Sequence, residues 1–275
     1  MDIETFTREH VSVSVLTWRA PKTLSHTLQS IAPLQGLFQN RLVLCQESDQ
    51  DEIRISKENG FLPVAINTNL GIQEGLAKCA EIAPTPYVLI LENDCNLKYL
   101  EGAKDTILES VRGLRDGTVD VVKFGTIDTG NIGRYKKYWG SSYQPRPTWR
   151  SRLRPFEARA CLGGGIYMPD FPDTGSPTIK RLSPHLYVTS SRFMGWTNRA
   201  FMIEREFFLE TIIGFARSKP APGKVNGLPD LEKEMNCFQN RSWWRRQKFR
   251  VGVTRPGLFA HHRLDRNTDD EKTAI

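Results

Sequence analysis

The segment Pro86–Leu97 reads PYVLILENDCNL. Tyr87 to Leu91 are apolar or aromatic without a polar break, and the run stops at Glu92-Asn93-Asp94. That pattern predicts a strand buried on both faces that delivers acidic groups to the edge of a sheet. In open α/β sheets ligands bind at that edge, and two acids spaced by one residue can hold a divalent cation through oxygen ligands. The plain alternative is a polar turn after a core strand. Three residues do not separate the two readings, so the flanking chain has to.

Upstream, the chain alternates strands with helices. Val11–Thr17 (VSVSVLT) is a strand, and Leu24, Leu28 and Ile31 after Pro21 follow a helical period. Arg41–Gln46 is a second strand, followed by a polar run and a short helix, and Leu62–Ile66 is a third. A turn at Asn67–Gly71 opens a helix, Gly71–Ile82, with Ile72, Leu76, Cys79 and Ala80 at helical spacing. Four such units predict an α/β fold, a mainly parallel central sheet flanked by helices with right-handed crossovers.

Downstream, Leu100–Leu114 reads as an amphipathic helix and Val119–Phe124 as a strand. Thr126–Leu186 is rich in Gly, Pro, Arg and aromatic residues and is too long for an ordinary connection, so it reads as a functional loop region with short strands. Its Gly163-Gly164-Gly165 allows close approach to a backbone. Gly195–Ile203 reads as a strand, Arg205–Ile213 as a helix, and Ser218–Gly227 as a flexible loop. Leu228, Leu231, Met235 and Phe238 mark one face of a helix reaching Trp244, and Phe249–Val253 is a last strand. Residues 268–275 form a polar tail expected to be loose.

The 275 residues, 39% of them apolar, are enough for a sizeable core. Five widely spaced cysteines without a C-x-x-C pair suit a reducing compartment, hence a cytoplasmic protein. No stretch approaches the roughly 20 apolar residues of a membrane span, and Met1–His10 is too polar for a signal peptide, which leaves a peripheral membrane contact at most. The formal charge of +7 is concentrated: Arg134–Arg159 holds eight cations against one acid, Glu157. Such a patch fits either an anionic partner or a solvated loop.

In this order the motifs resemble those of the GT-A fold glycosyltransferases, in particular the inverting, nucleotide-sugar-dependent family 2, over about Val11–His262. VLTWRAP resembles the segment closing the first strand beside the nucleotide, with Thr17, Trp18 and Arg19 in the matching places. Cys45-Gln46-Glu47-Ser48 stands where the family has an acidic VDDGS segment; Gln46 replaces the first acid and Glu47 remains for the base. Asn69-Leu70-Gly71 and Lys78 match the segment and basic residue near the diphosphate. Glu92-Asn93-Asp94 takes the D-x-D place, implying Glu92 and Asp94 as metal ligands with Asn93 beside the nucleotide. His261 matches a histidine that joins the metal, with His262 as the neighbouring alternative. In Pro229-Asp230-Leu231-Glu232, Asp230 matches the catalytic base, and Glu232 is the base if the register is shifted.

The resemblance implies a Rossmann-like GT-A domain over residues 1–267, with a nucleotide-binding half at about 1–125 and an acceptor-binding half at 126–267. It implies transfer from a nucleotide-diphospho-sugar, UDP-linked by preference, to a hydroxyl of a glycan or lipid-linked glycan, with inversion and with Mn²⁺ or Mg²⁺. Two rivals remain. Gln46, Glu92 and Pro229 depart from the family pattern and fit an inactive GT-A scaffold. The Arg-rich patch with Tyr135, Tyr138, Trp139 and Trp149 as stacking platforms fits a single-strand nucleic-acid-binding protein, although the central acids would repel its phosphates. Single residues also have simpler readings: Asp230 as a helix N-cap, Lys78 as a solvated helix residue, Thr17 and Trp18 as strand-end packing. Trp243-Trp244-Arg245-Arg246 reads either as a helix end or as an interfacial membrane anchor.

Overall fold

The computed structural model describes residues 1–126, 132–220 and 224–265. The tail at 268–275 lies outside the described residues. The first half follows the expected alternation. Strands β1 (Val11–Thr17), β2 (Asn40–Gln46), β3 (Leu62–Ile66) and β4 (Tyr87–Glu92) are joined by helices Pro21–Ser30, Gln50–Glu58 and Gly71–Ile82. Next come β5 (Cys95–Leu97), the helix Ala103–Arg115 and β6 (Val121–Lys123), then β7 (Gly175–Ser176), β8 (Ile179–Arg181), β9 (Leu186–Ser190) and β10 (Phe201–Glu204). The strands β11 (Lys224–Val225), β12 (Leu228–Pro229), β13 (Arg250–Thr254) and β14 (Phe259–His261) complete the set.

The main sheet runs β3-β2-β1-β4-β10-β6-β13-β9-β8-β7. β1 pairs in parallel with both β2 and β4, and β2 with β3. β10 enters antiparallel between β4 and β6, and β13 returns parallel to β6. The carboxyl ends of β4, β6 and β13 therefore share one edge of the sheet. This is the mainly parallel α/β sheet that the sequence predicts.

Both faces of the sheet are covered, which explains the apolar run in β4. Val88 and Ile90 enter the core on one face; Leu89 and Leu91 enter the core on the other. β1 alternates because Val11, Val13 and Val15 pack on one face while Ser12 and Ser14 hydrogen-bond on the other, to Thr85 and to the carbonyl of Cys79. Those bonds remove the cost of burying two hydroxyls. Gly75 lets its helix lie close on β1, since a Cβ there would meet the Leu16 side chain at 2.8 Å.

Several expectations are corrected. Gly195–Ile203 is strand only from Phe201, because the preceding residues spend their hydrogen bonds on other partners: the amide of Trp196 donates to the Asn236 side chain, and that of Asn198 to Glu232. The single helix expected up to Trp244 is two, Leu231–Asn236 and Arg241–Gln247; Leu231 and Met235 are buried, but Phe238 faces solvent. The region 126–186 contains the helices Ile132–Trp139, Trp149–Leu153 and Pro155–Arg159 as well as short strands. Gly163 and Gly165 accommodate the chain's own Phe193, Met194 and Tyr135 rather than leaving an open surface. The helix Ile3–His10, capped by Asp2, was not expected; it is short and mostly polar, but Ile3 and Phe6, one turn apart, pack against the core. No described helix is long and apolar enough to cross a membrane.

Candidate active site

At the end of β4, Asn93 and Asp94 turn the chain into β5, which pairs antiparallel with β14 so that His261 lies opposite Cys95. The same ladder lets the amide of His262 donate to the carbonyl of Asp94 at 2.8 Å. Asp94 is buried, with Nδ1 of His261 3.2 Å from its Oδ2 and Nε of Arg263 donating to that oxygen at 2.6 Å. Burial by itself would push this carboxyl up. The hydrogen bonds and charges of His261 and Arg263 outweigh it and hold Asp94 at about 2. Glu92 goes the other way: burial, then the negative charges of Asp94 and Asp230, push it up to about 8.

Among the described residues, Asp94, Cys95 and His261 each offer one ligand atom, all within 4.8 Å of one another. Glu92 lines the same cleft but is outside that group, because the turn after β4 carries Asp94 toward β14. An ionised carboxylate beside an imidazole suits a divalent cation such as Mn²⁺. Burial holds the Cys95 thiol well above its ordinary range, which leaves Asp94 and His261 as the better ligands of the three. The donor set therefore fits the metal, provided Arg263 gives up its place on Oδ2.

The cleft next to Asp94 has a volume of about 190 Å³ and is lined by Thr17, Trp18, Arg19, Asn69, Gly71 and Asn93, among others. Its first wall is built on the end of β1. Thr17 donates to Oε1 of the buried Glu52 at 2.5 Å and accepts from Asn93 Nδ2 at 3.1 Å. Glu52 also takes the amide of Ala20 at 2.9 Å, which fixes the bend that presents Trp18 and Arg19. Trp18 Nε1 and Arg19 Nε both donate to Oε2 of Glu47, at 3.0 and 2.6 Å. Those bonds lower the Glu47 carboxyl, that from Trp18 most. Arg19, Glu47 and Ser48 have φ of 49°, 60° and 50°, a conformation uncommon for residues with a side chain. Arg19 lines the cleft and Glu47 holds it, so this is the kind of backbone strain that clusters at functional sites.

The opposite wall is the start of the helix Gly71–Ile82. Gln46, where an acid was expected, accepts from the amide of Leu70 at 2.7 Å, and Asn69 accepts from that of Gly71 at 2.8 Å. Gly71 has φ +74°, and a Cβ there would lie 2.6 Å from Leu228 Cβ. Lys78 is not in the cleft. It pairs with Glu81 at 3.2 Å on the exposed side of the helix, and seven residues at about 1.5 Å rise put it roughly 10 Å from Gly71. Arg19 and Arg263 are cations that do line the cleft.

Asp230 is nearly buried and caps the helix Leu231–Asn236. Its Oδ1 accepts from the amides of Glu232 and Lys233 at 2.8 and 3.3 Å and from Asn198 Nδ2 at 2.9 Å. Glu232 Oε2 accepts from Thr197 Oγ1 at 3.0 Å and from the amide of Asn198 at 3.2 Å. Both acids are within electrostatic reach of Glu92, which brings them to the same edge as Asp94. Lys123, at the end of β6, is buried there too. It donates to the carbonyl of Gly195, and burial depresses it to about 7 against the opposing charge of Glu232.

His261 rather than His262 meets Asp94; His262 is exposed and lies beside His26. Sequence reasoning missed Arg263, Asp265, Glu52 and Lys123. Asp265 accepts from the amides of Lys22 and Thr23, at 3.3 and 2.7 Å, and so supplies the first turn of the helix Pro21–Ser30 with the cap that Ala20 cannot provide. A helix starting at Pro21 without a preceding Ser, Thr or Asp was a signal that the cap had to come from elsewhere.

No protein-family model and no curated protein matches the sequence. Solved structures do. Glucosyl-3-phosphoglycerate synthase from Mycobacterium tuberculosis, in complex with Mn²⁺, UDP and phosphoglyceric acid, superposes over 98% of this chain and 75% of its own, with a TM-score of 0.52 at 17% identity. Its complex with Mn²⁺, UDP and glucosyl-3-phosphoglycerate covers 99% of this chain and 79% of its own, with a TM-score of 0.50 at 15% identity. The fold is GT-A. A mannosyltransferase from Pyrobaculum calidifontis overlaps with 42% of this chain and 34% of its own at a TM-score of 0.36, too little to carry an argument. In the GT-A frame, the cleft lies at the carboxyl ends of β1 and β4, where open parallel sheets take their ligands.

Two alternatives weaken at the same time. Of the four aromatic residues read as stacking platforms, Tyr135 and Tyr138 are buried and offer no surface to bases, Trp139 is half-buried, and Trp149 is exposed. Trp244 is buried, and Trp243 stacks on Phe215 with ring centroids 3.8 Å apart, so neither anchors the chain at an interface.

Proposed function

We propose that the chain is a glycosyltransferase that uses a nucleotide-diphospho-sugar and a divalent metal. The observation that carries this reading is the Asp94–His261 pair at the mouth of a cleft whose walls are Trp18, Arg19 and Gly71, in a GT-A fold. The neighbours whose fold it shares were solved with Mn²⁺ and UDP, which favours Mn²⁺ and a UDP-sugar here.

Asp94 and His261 would hold the metal, with Glu92 beside them; bound there, it would offset the charge that grows on a departing diphosphate. Trp18 offers a flat apolar surface for a base, with Glu47 and Arg19 beside it. Asn69, Gly71 and Ile72 border the space for phosphates, with Arg19 and Arg263 as the supporting cations in place of Lys78. Thr17 and Asn93 fix the floor. Asp230 accepts the proton of an attacking hydroxyl on a glycan or lipid-linked glycan, and a single carboxylate base implies inversion. Glu232 holds the loop that orients Asp230, through Thr197 and Asn198.

One observation favours an inactive scaffold instead: Asp230 already spends Oδ1 on three hydrogen bonds. Calorimetry of UDP with and without Mn²⁺, on the wild type and on Asp94→Asn, tests the donor site. Metal-dependent binding that disappears in the variant supports the proposal; equal binding in both overturns it. Sugar transfer then separates enzyme from scaffold.

A further inference from the structure

Away from the cleft, four large apolar side chains stand in solvent on one side of the molecule: Trp149, Leu153, Phe156 and Phe238, exposed by 65%, 72%, 79% and 79%. Three come from the consecutive helices Trp149–Leu153 and Pro155–Arg159, and the fourth from the break between Asn236 and Arg241. They are brought together by Glu157, which pairs with Arg154 at 3.5 Å and with Arg241 at 3.4 Å, while Arg241 lies over the Phe238 ring at 4.9 Å. Phe156 and Phe238 line a common hollow of about 670 Å³. Trp149 and Leu153 line a second of about 290 Å³ beside it.

Cations surround these side chains. Arg159, Arg192, Arg245, Arg246 and Lys248 border the first hollow, and Lys137, Arg150 and Arg154 the second. Neither hollow has an acidic residue in its lining. The crowding is felt within the protein, since burial and then the charge of Arg241 lower the Arg245 guanidinium. A surface with protruding hydrocarbon and clustered positive charge has the chemistry of an anionic membrane interface: apolar tips enter the acyl boundary while guanidinium groups meet headgroup phosphates.

We propose that this face docks the protein on the surface of a bilayer containing anionic phospholipid. Leu153 favours a bilayer over a polynucleotide, because an aliphatic side chain gains from hydrocarbon but has no ring on which a base could stack; Trp149, Phe156 and Phe238 do carry exposed rings, which makes an oligonucleotide the competing ligand in the test. The buried Tyr135 and Tyr138 point the same way. Docking would hold the catalytic edge near the membrane. Arg134, whose charge reaches Arg245 on this face, borders the small pocket that also contains Lys123 and Thr197, and Thr197 donates to Glu232. The inference does not depend on the catalytic reading and stands or falls separately from it.

The test is co-sedimentation of the full chain with vesicles of phosphatidylcholine alone and of phosphatidylcholine mixed with phosphatidylglycerol. Binding to the mixed vesicles that weakens with salt is expected, with little binding to the neutral ones. Replacing Arg150, Arg192 and Arg246 with Gln should weaken it by roughly fivefold per cation. Replacing Trp149, Leu153, Phe156 and Phe238 with Ser should weaken it on the order of tenfold for each side chain kept out of the acyl region. All seven positions are exposed, so unchanged melting temperatures are the folding control. Tryptophan emission should shift to the blue on binding in the wild type but not in Trp149→Phe. No binding to the mixed vesicles overturns the proposal. So does binding that the Ser variant retains in full, or tighter binding to a single-stranded oligonucleotide that the Ser variant keeps, because either makes the face a purely electrostatic site.

Discussion

The imidazole Nδ1 of His261 lies 3.2 Å from Oδ2 of Asp94, although 167 residues separate them in the chain. The short ladder between β5 and β14 creates that contact by placing His261 opposite Cys95, the residue after Asp94. Asp94→Asn keeps the shape of the side chain but removes the charge that both His261 and a divalent cation require. Metal-dependent UDP binding should be lost while UDP binding without metal changes by less than about tenfold. Equal manganese dependence in the wild type and the variant, measured by calorimetry, would rule out Asp94 as a ligand.

Gly71 sits where the cleft beside Asp94 meets the helix that forms its second wall. Gly71→Ala has to place a Cβ in a left-handed backbone, 2.6 Å from Leu228 Cβ. The strain and the displaced contact together should cost about 2–4 kcal/mol. That corresponds to a melting temperature lower by roughly 5–15 °C in a chain of this size. Gly36→Ala is the control, because nothing lies within 4 Å of a Cβ there. Equal melting temperatures for the two variants would show that the turn at Gly71 tolerates a side chain.

Much of this architecture is legible in the sequence because its determinants are local. β1 to β4 are continuous or alternating apolar runs, and the first three are each followed by a helix, so the parallel half can be read from local pattern. The insertion of β10 between β4 and β6 cannot, because pairing with a distant strand leaves no mark on the segment itself. The same limit applies to the site. Glu92 and Asp94 are visible as acids at a strand end, and Asp230 as a cap before an apolar stripe. Glu52 is hidden in a polar run, and only the fold shows that Thr17 and Ala20 enclose it. Arg263 and Asp265 reach the cleft through chain closure and carry no motif.

Lys123 gives a pH signature. Its folded pKa of about 7 lies below the ordinary 10.5, so between those values the unfolded chain binds more protons than the folded one. Stability contributed at this position therefore rises with pH across that window and is lowest below pH 7. Glu92, raised to about 8, acts in the opposite sense below that value, so the comparison has to be made between variants. The stability of the wild type relative to Lys123→Met should rise between pH 7 and 9 by up to about 1 kcal/mol per pH unit. Denaturant melts at several pH values measure it. A constant difference would mean that Lys123 titrates normally despite its burial.

Asp230 decides between enzyme and scaffold, because it caps a helix and also faces the acidic edge of the sheet. Asn caps helices about as well as Asp, so Asp230→Asn should preserve the bonds to the amides of Glu232 and Lys233 and change stability by less than about 1 kcal/mol. It cannot serve as a base. If Asp230 takes the proton from the acceptor hydroxyl, donor affinity persists while turnover drops by roughly 100- to 10,000-fold. Glu232→Gln gives the contrast: its carboxylate is engaged by Thr197 and the amide of Asn198, so its effect should be smaller and come with some loss of stability. If Glu232 is the base, the two variants exchange roles, and a deeper loss of turnover in Glu232→Gln than in Asp230→Asn would show it. Undiminished transfer in both, with an acceptor the wild type is seen to use, would leave the cleft a binding site whose proton acceptor lies elsewhere.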